Sequence, residues 1–365
     1  MYDKTRYTLL YVTLFTILLH SSICFTFPLN CPKLKPSKIY PTHVEKVKPN
    51  DIKVVMALGD SLTAGFGMTF KNYGDFIGES RGKAMLIGGE EGYATIPNFL
   101  KEIGANTTGQ SYGNCLPYLH FLPELFRTYT RDVKVTQLNG AVSQSSLKDL
   151  NEEVGYLRNT IKKFKVDIQN DWKLINLFIG ANDICSSCET KKKQHSVQFW
   201  KDNFYNSIEY IKNSFPKTIL SIILLPDISV LNDIGDPEDT CRKARKLMGF
   251  CNCVKTDQGR KVMIQRTKEF NNIIIDAVNR INSQNSTSFG AVVQPIFLNS
   301  KFSRSHLSNF DCFHLNEYGS QLGAIGVWSN LLSRNKDKQR SMTPLPKSLC
   351  PREDTYLFYN EKFTL

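Results

Sequence analysis

The sequence predicts an α/β protein built on a parallel sheet, because short apolar segments alternate along the chain with amphipathic helical patterns. Five segments are short, several are rich in β-branched residues, and most lack polar alternation, as expected of strands buried on both faces. They span residues 53–58, 133–139, 174–179, 219–225 and 289–294. Strands separated by helices form right-handed crossovers. We therefore expect a mainly parallel, five-stranded sheet with helices on both faces.

The spacing of apolar residues indicates three of the helices. Apolar residues recur every three or four positions over 147–164 and again over 263–281, which places an apolar stripe on each helix. Thr256 or Asp257 is a suitable N-cap for the second of these. A third helix is expected from Asn316 to about residue 334. The 365 residues contain no internal repeat and no linker-like segment, so we expect one domain.

The N-terminus has the layout of a secretory signal peptide. Lys4 and Arg6 precede an apolar stretch over residues 7–19, and small and polar residues follow up to Cys24. A membrane anchor is the alternative, but the stretch is well short of the roughly 20 residues of a spanning helix. We expect residues 1–24 to be removed and residues 25–365 to form a soluble, secreted single domain without a transmembrane anchor.

Ten cysteines are present, and an exported chain oxidises most of its thiols. Cys185 and Cys188 could instead combine with Cys251 and Cys253 as a split zinc site, but the signal peptide favours disulfides. If Cys24 leaves with the signal peptide, nine cysteines remain, so one thiol stays free or pairs between chains. The sequence does not reveal which cysteines pair.

The sequons and the positive charge of the sequence indicate which partners to expect. The sequons that begin at Asn106 and Asn285 are acceptors for N-glycosylation in an exported protein. The formal net charge is +12, with basic clusters at residues 191–193, 242–246 and 336–340. These clusters form a solvated face or attract an anionic lipid surface. No motif that reads nucleic acid accompanies the charge, so nucleic acid is not expected as a partner.

Polar groups follow the predicted strands at the edge where open parallel sheets bind ligands. Gly-Asp-Ser ends the first strand at Ser61, and Gly-Ala-Asn-Asp follows the third strand around Asn182. The segment "LNGAVSQSS" begins near the end of the second strand, and "DCFHLNEYG" lies between the last strand and the last helix. Turn chemistry alone does not explain this gathering, so we predict an active site at this edge.

A serine hydroxyl needs a base to remove its proton, and the base needs a third group to orient it. Of six histidines, only His314 follows an aspartate, Asp311, by three residues just ahead of a predicted helix. That spacing lets the Asp311 carboxylate reach the His314 ring. His306 is the rival base. Ser61 is not in a Gly-x-Ser-x-Gly motif, so the nucleophile elbow of α/β-hydrolases is not indicated.

The motifs and their order resemble those of the GDSL esterases and lipases, the SGNH hydrolases. The segments "GDSLTAG", "GANDIC", "DCFHLNEYG" and the terminal "LCPREDTYLFY" look like the animal phospholipase B branch of that family, as does "IGGEEGYATIPNFLKEI". The resemblance covers nearly the whole chain beyond the signal peptide. It implies a three-layer α/β/α, flavodoxin-like fold.

The resemblance also implies roles for individual residues. Ser61 is then the nucleophile, His314 the general base and afterwards the acid, and Asp311 the group that orients His314. The side-chain amide of Asn182 and the backbone N–H of Ser61 donate to the oxyanion. No metal or organic cofactor is implied.

One position departs from the family pattern. The family's second block usually ends in a glycine whose backbone N–H completes the oxyanion hole, and Gln144 occupies that position here. The nearby Gly140 does not fill it. Gln144 must either accept an allowed backbone conformation, with its side chain at the pocket rim, or turn its own amide toward the oxyanion. We expect the first arrangement.

The signal peptide and the resemblance together predict a secreted serine esterase that cleaves fatty-acyl esters of phospholipids and lysophospholipids through an acyl-enzyme. Its contact with a membrane surface is expected to be transient. A small-ester or carbohydrate deacetylase on the same three residues is an alternative, because the motifs specify ester chemistry better than acyl length. A catalytically weak lipid-binding homologue is a second alternative, which only Gln144 supports.

Overall fold

The computed structural model describes residues 27–117, 131–189 and 196–365, apart from residues 73, 74, 76, 235 and 237. The predicted signal peptide, residues 1–24, and the basic cluster at 191–193 lie outside the described residues. Within the described ranges, no helix has both the length and the apolar character needed to cross a membrane.

A sheet of four parallel strands forms the centre of the fold. The strands are β1 (Ile52–Gly59), β2 (Trp172–Phe178), β3 (Thr218–Ile223) and β4 (Phe289–Gln294), hydrogen-bonded in that order. The strands are buried along nearly their full length, as expected when helices cover both faces. Gly59 is paired with Phe178 and Ile223 with Gln294, so the carboxyl ends of the strands lie at one edge. The predicted α/β class is confirmed.

The prediction of a fifth strand over residues 133–139 is wrong. Residues Val133–Thr136 form a single helical turn, and the Asp132 side chain caps it by accepting a backbone N–H. Gln137 then adopts a positive φ of 51°, which turns the chain away from an extended path. The β-branched residues of this segment favour a strand, but the cap and the turn that follows leave no room for one.

Single bridge residues cover the outer edge of β1 in place of a fifth strand. Asn139 pairs with Ala57, and Thr108 pairs with Val54, each as an isolated parallel bridge. The N–H of Gly140 also donates to the carbonyl of Ala57 at 2.8 Å. The chain around Asn139 therefore reaches the carboxyl end of β1, although it arrives there as a loop.

Helices surround the sheet. Within the described ranges the α-helices are, in chain order, α1 (Ser61–Ala64), α2 (Ile96–Glu102), α3 (Val133–Thr136), α4 (Leu150–Thr160), α5 (Ala181–Ser186), α6 (Val197–Ser214), α7 (Thr240–Met248), α8 (Asp257–Asn282) and α9 (Glu317–Leu331). On one face α4, α6 and α8 pack side by side, and the Trp200 ring of α6 stacks on Phe270 of α8 at 4.1 Å. On the other face α9 packs against α2, where Trp328 stacks on Phe99 at 5.5 Å. The sheet thus lies between two helical layers.

The three predicted helices are present. The pattern over 147–164 corresponds to a 3-10 turn followed by α4, and the pattern over 263–281 lies within α8. Thr256 caps α8 and Asn316 caps α9 through their side-chain oxygens. The sequence predictions do not include α2, α6 or α7. For α6 a signal exists, because its buried residues recur at helical spacing.

Four disulfides join distant parts of the described chain. The bonded pairs are Cys31–Cys350, Cys185–Cys251, Cys188–Cys253 and Cys241–Cys312. The four cysteines of the alternative zinc site are therefore oxidised, and the preference for disulfides is confirmed. Cys115 is a free thiol within the described residues. Disulfides of this number are typical of an oxidising compartment.

Lys338 carries a buried amine beside the sheet. Its Nζ donates to the carbonyl of Val293, in β4, at 2.7 Å. Burial lowers the pKa of Lys338 from 10.5 to about 7. Below that pH the folded protein has to hold a buried charge, whereas the unfolded chain exposes the same charge to water.

We expect Lys338→Met to remove part of the pH dependence of the free energy of unfolding. Between about pH 7 and pH 10 the unfolded lysine binds a proton that the folded lysine has lost, so this residue makes stability rise with pH across that window. Chemical denaturation of wild type and variant across the window measures the difference. Lys336→Met, at an exposed lysine, is the matched control. A gap between Lys338→Met and wild type that stays constant with pH would contradict this account.

Candidate active site

Ser61 is held at the carboxyl end of β1 by a tight turn. Gly59 ends the strand with a φ of 147°, and a Cβ there would lie 2.2 Å from the carbonyl oxygen of Phe178. Only glycine fits this close approach. Asp60 caps α1 by accepting the N–H of Leu62 at 3.0 Å. Ser61 is therefore the first residue of a helical turn at the ligand-binding edge of the sheet.

The structure brings Ser61, His314 and Asp311 into one hydrogen-bonded chain. The Oγ of Ser61 lies 2.7 Å from Nε2 of His314. The Nδ1 of His314 lies 2.5 Å from Oδ2 of Asp311. Because a carboxylate only accepts, the Nδ1 proton faces Asp311 and Nε2 accepts the hydroxyl proton of Ser61. Ser61 and His314 are 8% and 6% exposed, and Asp311 is fully buried.

Asp311 remains a carboxylate despite its burial. Burial by itself raises the pKa of Asp311, but the facing His314 ring and backbone N–H groups outweigh it and hold that pKa below its usual value. The N–H groups of Phe313 and His314 donate to Oδ1 at 2.9 and 3.0 Å. One carboxylate oxygen is thus fixed by the backbone, and the other orients the imidazole.

The rival base, His306, has other partners. The N–H and hydroxyl of Ser303 lie 3.0 and 2.8 Å from Nδ1 of His306. The ring of Tyr318 stacks on His306 with centroids 5.7 Å apart. Burial lowers the pKa of His306. The structure therefore brings His314, and not His306, to Ser61.

Three further carboxyl groups lie behind the site, of which those of Asp60 and Glu153 are buried and that of Asp183 belongs to a half-buried residue. Glu153 accepts the N–H of Gly59 at 2.8 Å, and Asp183 accepts the N–H of Leu147 at 3.0 Å. Burial raises the pKa of Asp60 to about 6 and that of Asp183 to about 7, and it also raises the pKa of Glu153. By accepting backbone N–H groups, these carboxyl groups hold the chain segments around Ser61 in place.

Asn182 lies in the first turn of α5, and Gln144 lies in the loop over residues 139–145. The side-chain amide of Asn182 donates to the carbonyl of Ser145 at 2.8 Å, and its second hydrogen remains for another acceptor. Gln144 adopts a φ of 71°, the left-handed conformation that favours glycine. Its side chain is exposed, whereas Ser143 and Ser145 on either side are buried. Gln144 therefore takes up the backbone geometry of a glycine position.

An apolar pocket lies beside these residues. Leu62, Ala181 and Phe313 line it, and each is the chain neighbour of a predicted site residue. The rest of its wall is also apolar and includes Phe297 and Phe302. The sequence predictions do not identify this pocket, because its walls come from segments far apart in the chain.

A disulfide ties α7 to the loop that carries Asp311. Cys241 of α7 is bonded to Cys312, and Arg245 of α7 donates to the carbonyl of Cys312 at 3.4 Å. Asp239 lies close to both sulfurs, which makes this the candidate group of metal ligands within the described residues. Its two cysteines are oxidised, so they offer no thiolate to a metal.

Aromatic side chains around His314 were not predicted from the sequence. Phe66, Phe250 and Phe313 pack edge-on against the His314 ring, at 5.0, 6.3 and 5.3 Å between centroids. Such packing holds the imidazole in one orientation and limits the access of water. Two of these phenylalanines are near site residues in the sequence, but nothing local indicates that their rings turn toward His314.

The chain matches the model of the GDSL-like lipase/acylhydrolase family over residues 55–325. It belongs to that family. The predicted class, a GDSL-type serine ester hydrolase, is thereby confirmed. Residues 55–325 include Ser61, Asn182, Asp311 and His314, so the match spans the whole candidate site.

Curated relatives and solved structures are similar to this chain. It is 29% identical to mouse "Phospholipase B1, membrane-associated" over 343 residues, covering 88% of this chain and 22% of the relative. It is 28% identical to the human protein of the same name over 352 residues, which cover 90% of this chain and 23% of the human protein. The family resemblance is confirmed, and the chain spans less than a quarter of the length of these relatives. The extracellular lipase of Streptomyces rimosus overlaps at a TM-score of 0.36 with 13% identity, covering 76% of this chain and 98% of that one.

We expect His314→Ala to abolish ester hydrolysis and His306→Ala to leave most of it. The reason is geometric, since the His314 ring lies within hydrogen-bond distance of the Ser61 hydroxyl, whereas His306 is bonded to Ser303. Steady-state rates with a soluble ester measure both variants. Wild-type activity should also fall as the pH is lowered, because an imidazolium cannot accept the serine proton. Loss of activity in His306→Ala alone would identify His306 as the base.

Proposed function

We propose that this protein is a serine esterase that hydrolyses fatty-acyl ester bonds of phospholipids and lysophospholipids. The hydrogen-bonded chain from Ser61 through His314 to Asp311 is the observation that carries the proposal. It provides a nucleophile, a base and an orienting carboxylate at the edge where parallel sheets bind ligands.

In the proposed reaction, Oγ of Ser61 attacks the ester carbonyl while Nε2 of His314 takes the hydroxyl proton. His314 then gives that proton to the departing alcohol, and the acyl group remains on Ser61. A water molecule then attacks the acyl-enzyme and gives a proton to His314. His314 passes that proton to Oγ of Ser61 as the fatty acid leaves. Asp311 keeps Nδ1 protonated throughout and stabilises the imidazolium that forms twice.

Three donors support the tetrahedral oxyanion in this proposal. They are the backbone N–H of Ser61, the side-chain amide of Asn182 and the backbone N–H of Gln144. A donor aimed at the developing charge is typically worth about 3 kcal/mol in the transition state. The contact of Asn182 with Ser145 couples the second donor to the loop that carries the third.

The apolar walls of this pocket support an acyl chain as part of the substrate, and a long chain would lie along them because the cavity itself holds only about 30 Å³. Leu62 and Phe313 extend the site away from Ser61 as an apolar surface, which favours burial of methylene groups. The mouse and human relatives are named phospholipase B1, which supports such a substrate. The headgroup would then remain toward solvent or toward the lipid surface.

We also propose that the protein is secreted and contacts membranes only transiently. Removal of residues 1–24 would leave residues 25–365 as one hydrolase domain. The four disulfides among the described residues support an extracellular protein, and the net charge of +12 of the full sequence supports its approach to anionic lipid. Asn106 and Asn285 are both exposed, as N-glycosylation requires.

Ser61→Ala should eliminate both covalent labelling by a fluorophosphonate and the release of fatty acid from diacyl and lysophospholipid, because no nucleophile remains. Mass spectrometry of the labelled protein and a fatty-acid assay in the presence of a calcium chelator measure the two effects. Ser214→Ala is the control. Ser214 is the last residue of α6 and shortly precedes β3, so it lies near the amino ends of the strands, away from Ser61.

Three results would count against the proposal. Labelling that persists in Ser61→Ala would remove Ser61 as the nucleophile. Activity limited to acetyl esters would favour a deacetylase. A wild-type protein that binds lipid vesicles but neither labels nor hydrolyses any ester would be a lipid-binding homologue.

The two proposed oxyanion donors Gln144 and Asn182 should differ in their sensitivity to mutation. Gln144→Gly keeps the backbone N–H and removes the Cβ that makes a left-handed conformation unfavourable. Turnover should therefore change by less than about tenfold, which corresponds to a change in activation free energy of about 1.4 kcal/mol. Asn182→Ala removes a side-chain donor and should cost about a hundredfold or more. Kinetics with one lysophospholipid compare the two variants. A large loss in Gln144→Gly would mean that the glutamine side chain itself is a donor.

A further inference from the structure

We propose that Glu79 and Arg81 are positioning residues of the active site. They hold the loop over residues 139–145, which carries the backbone N–H of Gln144. This inference rests on the proposed function, in which that N–H stabilises the oxyanion. Neither side chain is hydrogen-bonded to Ser61 or His314 in the structure, so both would act indirectly, chiefly through the loop.

Glu79 and Arg81 form an ion pair with no exposure to solvent. Both side chains are 0% exposed, and Nη2 of Arg81 lies 2.7 Å from Oε2 of Glu79. The Nε of Arg81 donates to the same oxygen at 2.8 Å. A buried ion pair contributes little net stability, because the desolvation of both charges offsets their attraction. A role in positioning explains the pair better than a role in stability.

Arg81 uses its remaining donors on the backbone of the loop. Its Nη1 donates to the carbonyl of Asn139 at 3.2 Å, and its Nη2 donates to the carbonyl of Ala141 at 2.8 Å. Two alternate carbonyls of one short segment are thereby held by a single planar group. A guanidinium presents its donors in a fixed fork, so it sets the spacing and the direction of both carbonyls.

Glu79 holds the next part of the same loop. Its Oε1 accepts the hydroxyl of Ser143 at 2.6 Å, and Ser143 directly precedes Gln144. The thiol of Cys115, which lies outside the loop, donates to Oε2 at 3.4 Å. One oxygen of the Glu79 carboxylate is thus bonded to the Arg81 guanidinium, and the other is bonded to the loop.

The loop is also fastened to the helix of the nucleophile. The Nδ2 of Asn139 donates to the carbonyl of Thr63, in α1, at 3.2 Å, and its Oδ1 accepts the N–H of Ala141 at 3.1 Å. The Ser61 turn and the loop of Gln144 are therefore held relative to each other. This relation determines where two of the proposed oxyanion donors point.

The conformation of Gln144 explains why such support is needed. A left-handed conformation is unfavourable for a residue with a Cβ and persists only where neighbouring contacts over-determine it. Those contacts lie on both sides, since Ser143 is bonded to Glu79 and the carbonyl of Ser145 accepts from Asn182. Donors that are already in place when charge develops lower the barrier without changing substrate binding.

Ser143→Ala tests the inference, because it removes the bond between loop and carboxylate and leaves the ion pair intact. For a soluble monomeric ester we expect kcat to fall about tenfold or more, with KM within about twofold of wild type. Cys115→Ala is the matched control. It removes the other uncharged donor to the same carboxylate, yet it should leave kcat within about twofold. Hydrogen exchange of the amides at 139–145 should quicken in Ser143→Ala only.

A Ser143→Ala enzyme with unchanged kcat would overturn the inference, as would an equal loss of kcat in Cys115→Ala. If Ser143→Ala does not fold, Ser143→Gly takes its place, since it also lacks the hydroxyl; a lowered kcat at constant KM then supports the inference and an unchanged kcat overturns it. Failure of the proposed function looks different. Wild type would then hydrolyse no ester and take up no fluorophosphonate, and the positioning role would fall with it.

Discussion

Parallel pairing is the constraint on which this candidate active site depends. Because all four strands run in one direction, their carboxyl ends meet at one edge, and the loops that leave that edge bring their polar groups to the same place. Ser61 follows β1, Asn182 follows β2, and His314 lies between β4 and α9. Ser61 and His314 are 253 positions apart, yet they are joined by a hydrogen bond. Strand direction, and not any local feature of the chain, brings them together.

Burial of charge accompanies this arrangement. Asp311 is fully buried and stays ionised because the His314 ring and backbone N–H groups face it, and Glu79 and Arg81 are fully buried as a pair. Groups of this kind cost desolvation free energy that their hydrogen bonds only partly offset. The apolar interior between the helical layers supplies the stability that they do not. In return, directional bonds fix backbone and side-chain positions that apolar packing alone would leave adjustable.

Local pattern and tertiary context differ in how well they predict individual elements. The strand expected over 289–294 coincides with β4. A short apolar segment bounded by polar residues suits a strand whose two faces are both covered by helices. The segment 133–139 has comparable β-branched content and still forms a helical turn. There the Asp132 cap and the left-handed Gln137 outweigh strand propensity, which is itself largely a measure of packing context.

The sequence by itself determined the α/β class, the order of the polar motifs and the spacing that lets Asp311 reach His314. These follow from periodicity and from short-range geometry, which neighbouring residues specify directly. Only the tertiary structure decided which histidine faces Ser61, which cysteines pair, and that the Glu79–Arg81 pair supports the loop of Gln144. Each of these is a contact between segments far apart in the chain. The strength of such a contact depends on burial and direction, and a residue's neighbours in the sequence specify neither.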